Sequence, residues 1–237
     1  MEIAKNDFFN ESSNVKKALQ LCTDASKYIN LKPFDLESDL ATLSPSNSKQ
    51  FLKNLKAYKS FLSSVLDLTD PKEIVEHIES EYNVKFPDDL VDCVDKDSDV
   101  IEIYDVQSYT LLAHNQKFSD LNSYSIFDLF AHPYYVLYER EKGDGELSYD
   151  DYFMVRAQES FKKMQTLPVD LPIHQIKETY QNKNRIFKQK FKYISPARPL
   201  DHKPPHILAL IHETSPRKII QSLYSKNNEN QSTQQIF

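Results

Sequence analysis

Asn115-Gln-Lys-Phe118-Ser-Asp-Leu121-Asn-Ser-Tyr124-Ser125-Ile-Phe-Asp128-Leu129 is the phrase from which the rest of the chain is read. The Asn115 side chain can accept an orphan backbone N–H at a helix start, and Phe118 and Leu121 fall on one face of the turn that follows. Ser125 repeats the device for a second short helix, with Asp128 favoured at its positive first turn. Two short helices in succession, each with one apolar side, need a sheet to lie on.

Strand-like sequence stands on both sides of the phrase. Before it, Val100 to Val106 and Tyr109 to His114 are β-rich pieces separated by Gln107-Ser108, the spacing of a hairpin. After it, strands are predicted over 175–181, 185–194 and 206–213. In the second of these, Phe187, Phe191 and Tyr193 alternate with Lys188, Lys190 and Lys192, which predicts one buried aromatic face and one charged face. His206-Ile-Leu-Ala-Leu-Ile-His212 is the most apolar piece and suits a central position. Between the two sets, Ser148-Tyr-Asp-Asp151 reads as a capping box that opens a helix to about Thr166, with Phe153, Met154, Ala157, Phe161 and Met164 on its apolar stripe. The expectation is a five-stranded antiparallel sheet with the helix of 149–166 on its inner face.

The Asn115 phrase resembles the PAS family of sensor domains. That family's pattern has Asn, Phe three residues on, an aliphatic at six, Gly-Tyr-Ser at eight to ten, and acidic-Leu at thirteen and fourteen. Asn115, Phe118, Leu121, Tyr124, Ser125, Asp128 and Leu129 fall in register, and Ser123 stands where the pattern has Gly. His212-Glu213-Thr214-Ser-Pro-Arg217-Lys218 is similar to the family's exit signature. The order strand, strand, helices, helix, and three strands matches as well, so the resemblance covers residues 99–218. It implies a sensor or partner-binding domain whose pocket holds haem, flavin, another small molecule or nothing. The light-sensing flavin type would need a Cys near Ala131 to Tyr138 and the haem type a His between Ser148 and Thr166; the sequence has neither, so the resemblance implies no haem or flavin.

Residues 1–98 carry helical periodicity instead. Val15, Ala18, Leu19, Cys22, Ala25 and Ile29 lie on one stripe, and a longer helix is predicted from about Ser48 to Leu68, carrying Leu52, Leu55, Tyr58, Leu62, Val65 and Leu66 inward. Thr69 or Asp70 caps the next helix, with Pro71 in its first turn and Ile74, Ile78 and Tyr82 on one face. A last helix is predicted over Asp88 to Val94, so Met1 to Asp97 should hold helices only. Asp95, Asp97 and Asp99 imitate the first half of a calcium loop, but Val100 stands where that loop needs Gly and Val106 where it needs Glu. The run reads as a solvated linker. At the other end, Arg217 to Tyr224 is predicted to form one short helix, and residues 227–235 are too polar to offset their ordering entropy.

Composition narrows the functions. The formal charge is -6 with no basic block, which argues against direct nucleic-acid binding, and two Gly cannot build a phosphate-cradling loop. Two Cys are too few for a disulfide framework, and the sequence shows neither a secretory leader nor an apolar run of membrane-spanning length, so an intracellular, cytoplasmic protein is expected. His206 and His212 would stand about 20 Å apart on one strand and cannot share an ion; His114 and His132 read as surface or hydrogen-bonded core residues. Glu139, Glu141, Asp144 and Glu146 around Gly143 and Gly145 read as an exposed turn.

These observations define an α+β protein: a helical region over 1–98, a PAS-like domain over 99–216, and an exit helix with a tail over 217–237. The expected function is non-catalytic signalling through a small ligand, a protein partner or a homodimer, without a metal, nucleic acid or a membrane. Two other classes stand beside it, the sensory half of a transcription regulator that lacks its own DNA-binding module and a small hydrolase using acidic loop 139–146. A ligand pocket would lie between the inner sheet face and the helices after Asn115, lined by Tyr104, Phe118, Tyr124, Phe153, Phe187 and Tyr193. The opposing reading is that these rings fill the core. Volume separates the two, since a small-molecule cleft has about 300 Å³ or more and a filled core has no such space.

Overall fold

The computed structural model describes residues 43–140, 149–179, 185–216 and 218–219. Helix α1 (Pro45–Ser64) opens where Ser44 accepts the Asn47 N–H and Pro45 takes the first turn. It ends four residues before the expected Leu68, and Leu66, expected inward, lies past the helix end and is exposed. Asp67 accepts the Thr69 N–H and hydroxyl, while Glu73 accepts the N–H groups of Leu66 and Asp67, and this turn competes successfully with the helix. Helix α2 (Pro71–Tyr82) is capped by Asp70 and stops at Asn83, which is left-handed at φ 53°.

Two expectations for this region are corrected. A two-residue strand, β1 (Val84–Lys85), follows α2, so the stretch before Asp97 is not purely helical. The helix expected over Asp88 to Val94 is one 3-10 turn, Val91–Cys93, because seven residues give too few bonds to offset nucleation. The stripe around Cys22 lies outside the described residues, as do the Ser148 cap, residues 141–148 of the acidic loop and the tail.

The sheet contains the five expected strands and exceeds them. β2 (Val100–Asp105) and β3 (Thr110–His114) form the hairpin; α3 (Gln116–Leu121), α4 (Ile126–Ala131) and α5 (Tyr134–Leu137) lead to a short edge strand, β4 (Tyr138–Arg140). Helix α6 (Tyr149–Lys163) and β5 (Leu167–Pro168) precede β6 (His174–Glu178), β7 (Arg185–Pro199), β8 (Ile207–Thr214) and β9 (Lys218–Ile219). Neighbours run antiparallel in the order β3-β2-β8-β7-β6-β4, with β5 and β9 also on β7, which makes eight strands; β1 pairs with the far end of β7. As expected, the most apolar strand, β8, is central.

Lys218 and Ile219 were expected in a helix, and they pair instead with Ile186 and Arg185. Ser215 explains the difference. Its N–H donates to the Lys188 carbonyl and its hydroxyl accepts the Lys188 N–H, so the chain leaving β8 stays on the β7 ladder past Pro216. Helix α6 ends at Lys163, short of Thr166, because Met164 takes a left-handed conformation at φ 50°.

Alternation along the strands produces two buried faces. Ile101, Ile103, Ala197, Ile207, Ala209 and Ile211 point outward into one cluster with Leu55, Phe61, Ile74 and Ile78 of α1 and α2. The helices before Asp99 and the sheet therefore share a core. Phe191, Ile194, Leu208 and Leu210 point inward to Ala157, Phe153 and Phe161 of α6. No helix among the described residues is long and apolar enough to cross a membrane.

Candidate functional site

The inner face is framed by its caps. Asn115 accepts the Phe118 N–H at 3.2 Å and donates its own amide to the Asp99 carbonyl at 2.8 Å, tying α3 to the start of β2. Ser125 and Asp128 form a reciprocal capping box for α4, and both are buried. Asp99 is fully buried and its carboxylate accepts Lys192 Nζ at 2.8 Å and 2.9 Å, so the acidic run before β2 is anchored to β7 rather than solvated throughout. The roles read for Asn115 and Ser125 in the sequence are thus structural ones.

Behind these caps the inner face carries a buried polar strip. Glu102 and His212 are neighbours across β2 and β8, with Glu102 Oε1 3.3 Å from His212 Nε2. Tyr104 donates its hydroxyl to Glu102 Oε2 at 2.8 Å, and Thr214 Oγ1 lies 2.8 Å from His212 Nδ1. Burial works against the Glu102 charge, but His212, the Tyr104 hydrogen bond and the charge of Arg140 outweigh it and hold the carboxyl below its ordinary range. The same burial, reinforced by Glu102, pushes the Tyr104 phenol well above its usual value, so it stays a donor.

Arg140, on β4, closes the strip at its other end. Its Nη1 lies 3.2 Å from His174 Nε2, and its Nη2 donates to the Tyr134 hydroxyl at 2.9 Å. His174 Nδ1 lies 3.2 Å from the Pro172 carbonyl, which assigns the proton to Nδ1 and leaves Nε2 as the acceptor for Arg140. The His174 ring is stacked on Tyr149 at 4.5 Å, and the guanidinium lies 4.8 Å from the Phe191 centroid. These two hydrogen bonds and the aromatic faces set the orientation of the guanidinium.

Next to Arg140 the inner face opens into a cleft of about 440 Å³ between α6 and the sheet. Phe153, Met154, Ala157 and Phe161 form the helix side; Tyr104, Val106, Leu208 and Leu210 form the sheet side; Tyr134 and Arg140 close one wall. Of the six residues expected to line a pocket, the structure brings Tyr104 and Phe153 to this cleft. Phe118 and Phe187 surround only a water-sized space of about 20 Å³ beside Glu102 and His212. Tyr124 is core: it is buried and its hydroxyl donates to the Leu137 carbonyl at 2.7 Å.

Tyr193 goes to the opposite face. The ladder with β8 shifts between Phe191 and Tyr193, so Phe191 pairs with His212 but Tyr193 pairs with Ile211 and packs toward α1 and α2. The period of two read over 187–193 therefore breaks at Lys192. Among the helices after Asn115 it is α6, with Phe153, Met154, Ala157, Gln158 and Phe161, that forms the cleft with the sheet. Sequence reasoning missed Glu102, His212, His174 and Arg140. The first two could have been found by carrying strict alternation through β2 and β8, whereas nothing in a three-residue strand marks Arg140.

His114 is a hydrogen-bonded core residue, as expected. Its Nε2 accepts from the Tyr58 hydroxyl at 2.6 Å and its Nδ1 lies 3.0 Å from the Asn115 carbonyl, so α1 is fastened to the end of β3. No family model matches the chain, and no curated protein matches it in sequence.

Proposed function

We propose that residues 99–216 form a PAS-like sensor domain that binds a small ligand in the cleft between α6 and the inner sheet face, without transforming it. The observation that carries this reading is the cleft itself. At about 440 Å³ it exceeds the water-sized voids of a filled core and falls within the range of small-molecule sites. The order of two strands, short helices, a longer helix and three strands, with Asn115 and Ser125 as buried caps, supports the family resemblance. Tyr104 is hydrogen-bonded to Glu102, His212 to Thr214, and Glu102 lies 3.3 Å from His212, an arrangement suited to orientation rather than to proton transfer to a substrate.

Signal output in this reading passes through α1 and α2, which cover the outer face of the same strands whose inner face meets the ligand. Native mass spectrometry of the purified protein and a thermal-shift panel of small metabolites test it. Expected are a bound species or a ligand that raises Tm. A protein that shows neither would leave partner binding, without a ligand, as the function of the domain.

A further inference from the structure

Building on that ligand-binding reading, we infer that the cleft takes a medium-sized apolar monocarboxylic acid, with its hydrocarbon against α6 and its carboxylate on Arg140. The walls specify the hydrocarbon. Phe153, Ala157 and Phe161 from α6 face Val106, Leu208 and Leu210 from the sheet, and none of these can hydrogen-bond through its side chain. Polar groups set against these six side chains would lose their hydration without replacement, and the hydrogen-bonding side chains of the lining are Tyr104, Asp105, Tyr109, Tyr134, Arg140 and Gln158. The volume is near the lower end of ligand sites, which favours a medium chain or a compact ring system over a long acyl chain.

Arg140 specifies the head group. It is the only cationic side chain among the described residues that line the cleft, and its planar fork matches a carboxylate. His174, Tyr134 and the Phe191 ring fix that fork, so a carboxylate meets a charge already in place. The lining also includes Asp105, whose carboxylate accepts the Gln107 N–H at 2.8 Å and the Ser108 N–H at 3.3 Å. A second charge on the ligand would meet this carboxylate or the hydrocarbon walls, which is why one carboxylate is inferred and not two.

Isothermal titration of the full chain with decanoate and with decanol, which share a chain and differ in the head, tests the inference. Decanoate should bind with one-to-one stoichiometry and at least about tenfold tighter than decanol, the order expected for a charge-assisted contact. Arg140→Gln should reduce decanoate affinity by roughly 10- to 100-fold, to the level of decanol, and leave decanol unchanged. Ala157→Phe, which fills the cleft, should abolish binding of both while circular dichroism stays unchanged. Equal binding of decanol and decanoate by the unaltered protein would overturn carboxylate recognition and leave the ligand cleft standing. Undiminished binding of decanoate by folded R140Q would overturn it equally. Absence of binding by both probes would overturn this inference, and the metabolite panel would then decide separately whether the cleft binds anything.

Discussion

His114 makes stability depend on pH in a way that can be isolated. Its ring is 1% exposed, and burial pushes its pKa down to about 4, against smaller upward contributions from the Asn115 carbonyl and Glu102. In the unfolded chain the group returns to about 6.5. Between these values the unfolded chain binds the proton and the folded one does not, so stability is complete above about pH 6.5 and falls as pH drops toward 4. The full difference, about 2.5 pKa units, corresponds to roughly 3 kcal/mol, of which about 2 kcal/mol should be lost between about pH 7 and pH 5. Protonation would also set an imidazolium Nε2–H against the Tyr58 hydroxyl, which now donates to it. Urea titrations at a series of pH values, for the unaltered protein and for His114→Gln, isolate the effect because other groups cancel in the difference. The unaltered protein should lose about 2 kcal/mol more than the variant over that interval. A flat difference, or an NMR titration of the His114 ring with a midpoint near 6.5, would refute the reasoning.

Three further outcomes follow from the packing. Leu55→Ala in α1 should cost about 2–5 kcal/mol and lower a single unfolding transition, because Leu55 is fully buried in the cluster that includes Ile103 and Ile211; a separate early transition of the helices would show that they fold independently of the sheet. Asn115→Ala should cost about 2–3 kcal/mol, the sum of a lost cap and an orphaned Asp99 carbonyl, and Asn115→Asp at least as much, because its carboxylate keeps the acceptor but sets a buried charge against that carbonyl, both measured by urea denaturation. Lys192→Met should cost about 2–3 kcal/mol because it strands a fully buried carboxylate, somewhat less than for a wholly buried pair since Lys192 reaches water; Asp99→Asn in the same chain should recover most of it.

The larger pieces of the fold were legible because they repeat a physical period. β2, β3, β6, β7 and β8 all carry apolar alternation or apolar runs of strand length, and the Asn115 and Ser125 caps stand where their side-chain chemistry requires. The pieces that escaped are short. β1, β4, β5 and β9 have two or three residues each, too few for any period, and all but β4 form on β7, whose 15 residues extend beyond its main partners. The turn of Tyr193 to the outer face escaped for another reason. A shift of one residue in the ladder reverses every later side chain, and a bulge leaves the sequence alternating as before. Lys192 sits within that shift, and its partner Asp99 is 93 residues away in the chain, beyond the reach of any local pattern.

The site was less legible than the fold because an aromatic residue has the same sequence signature whether it fills a core or lines a cleft. Tyr124 and Phe187 are surrounded on all sides, whereas Phe153 has a void beside it, and the difference arises from the residues opposite. On α6 the position facing Leu208 and Leu210 is Ala157, too small to fill the space, while Met154 stays 49% exposed at the rim. Apolar surface thus remains within reach of water on both walls, at a cost of about 25 cal/mol for each Å² left uncovered. In the proposed reading, a ligand that covered those walls would recover this free energy, so the small side chain at position 157 would give apolar ligands their affinity and Arg140, at the end of the cleft, would select among them.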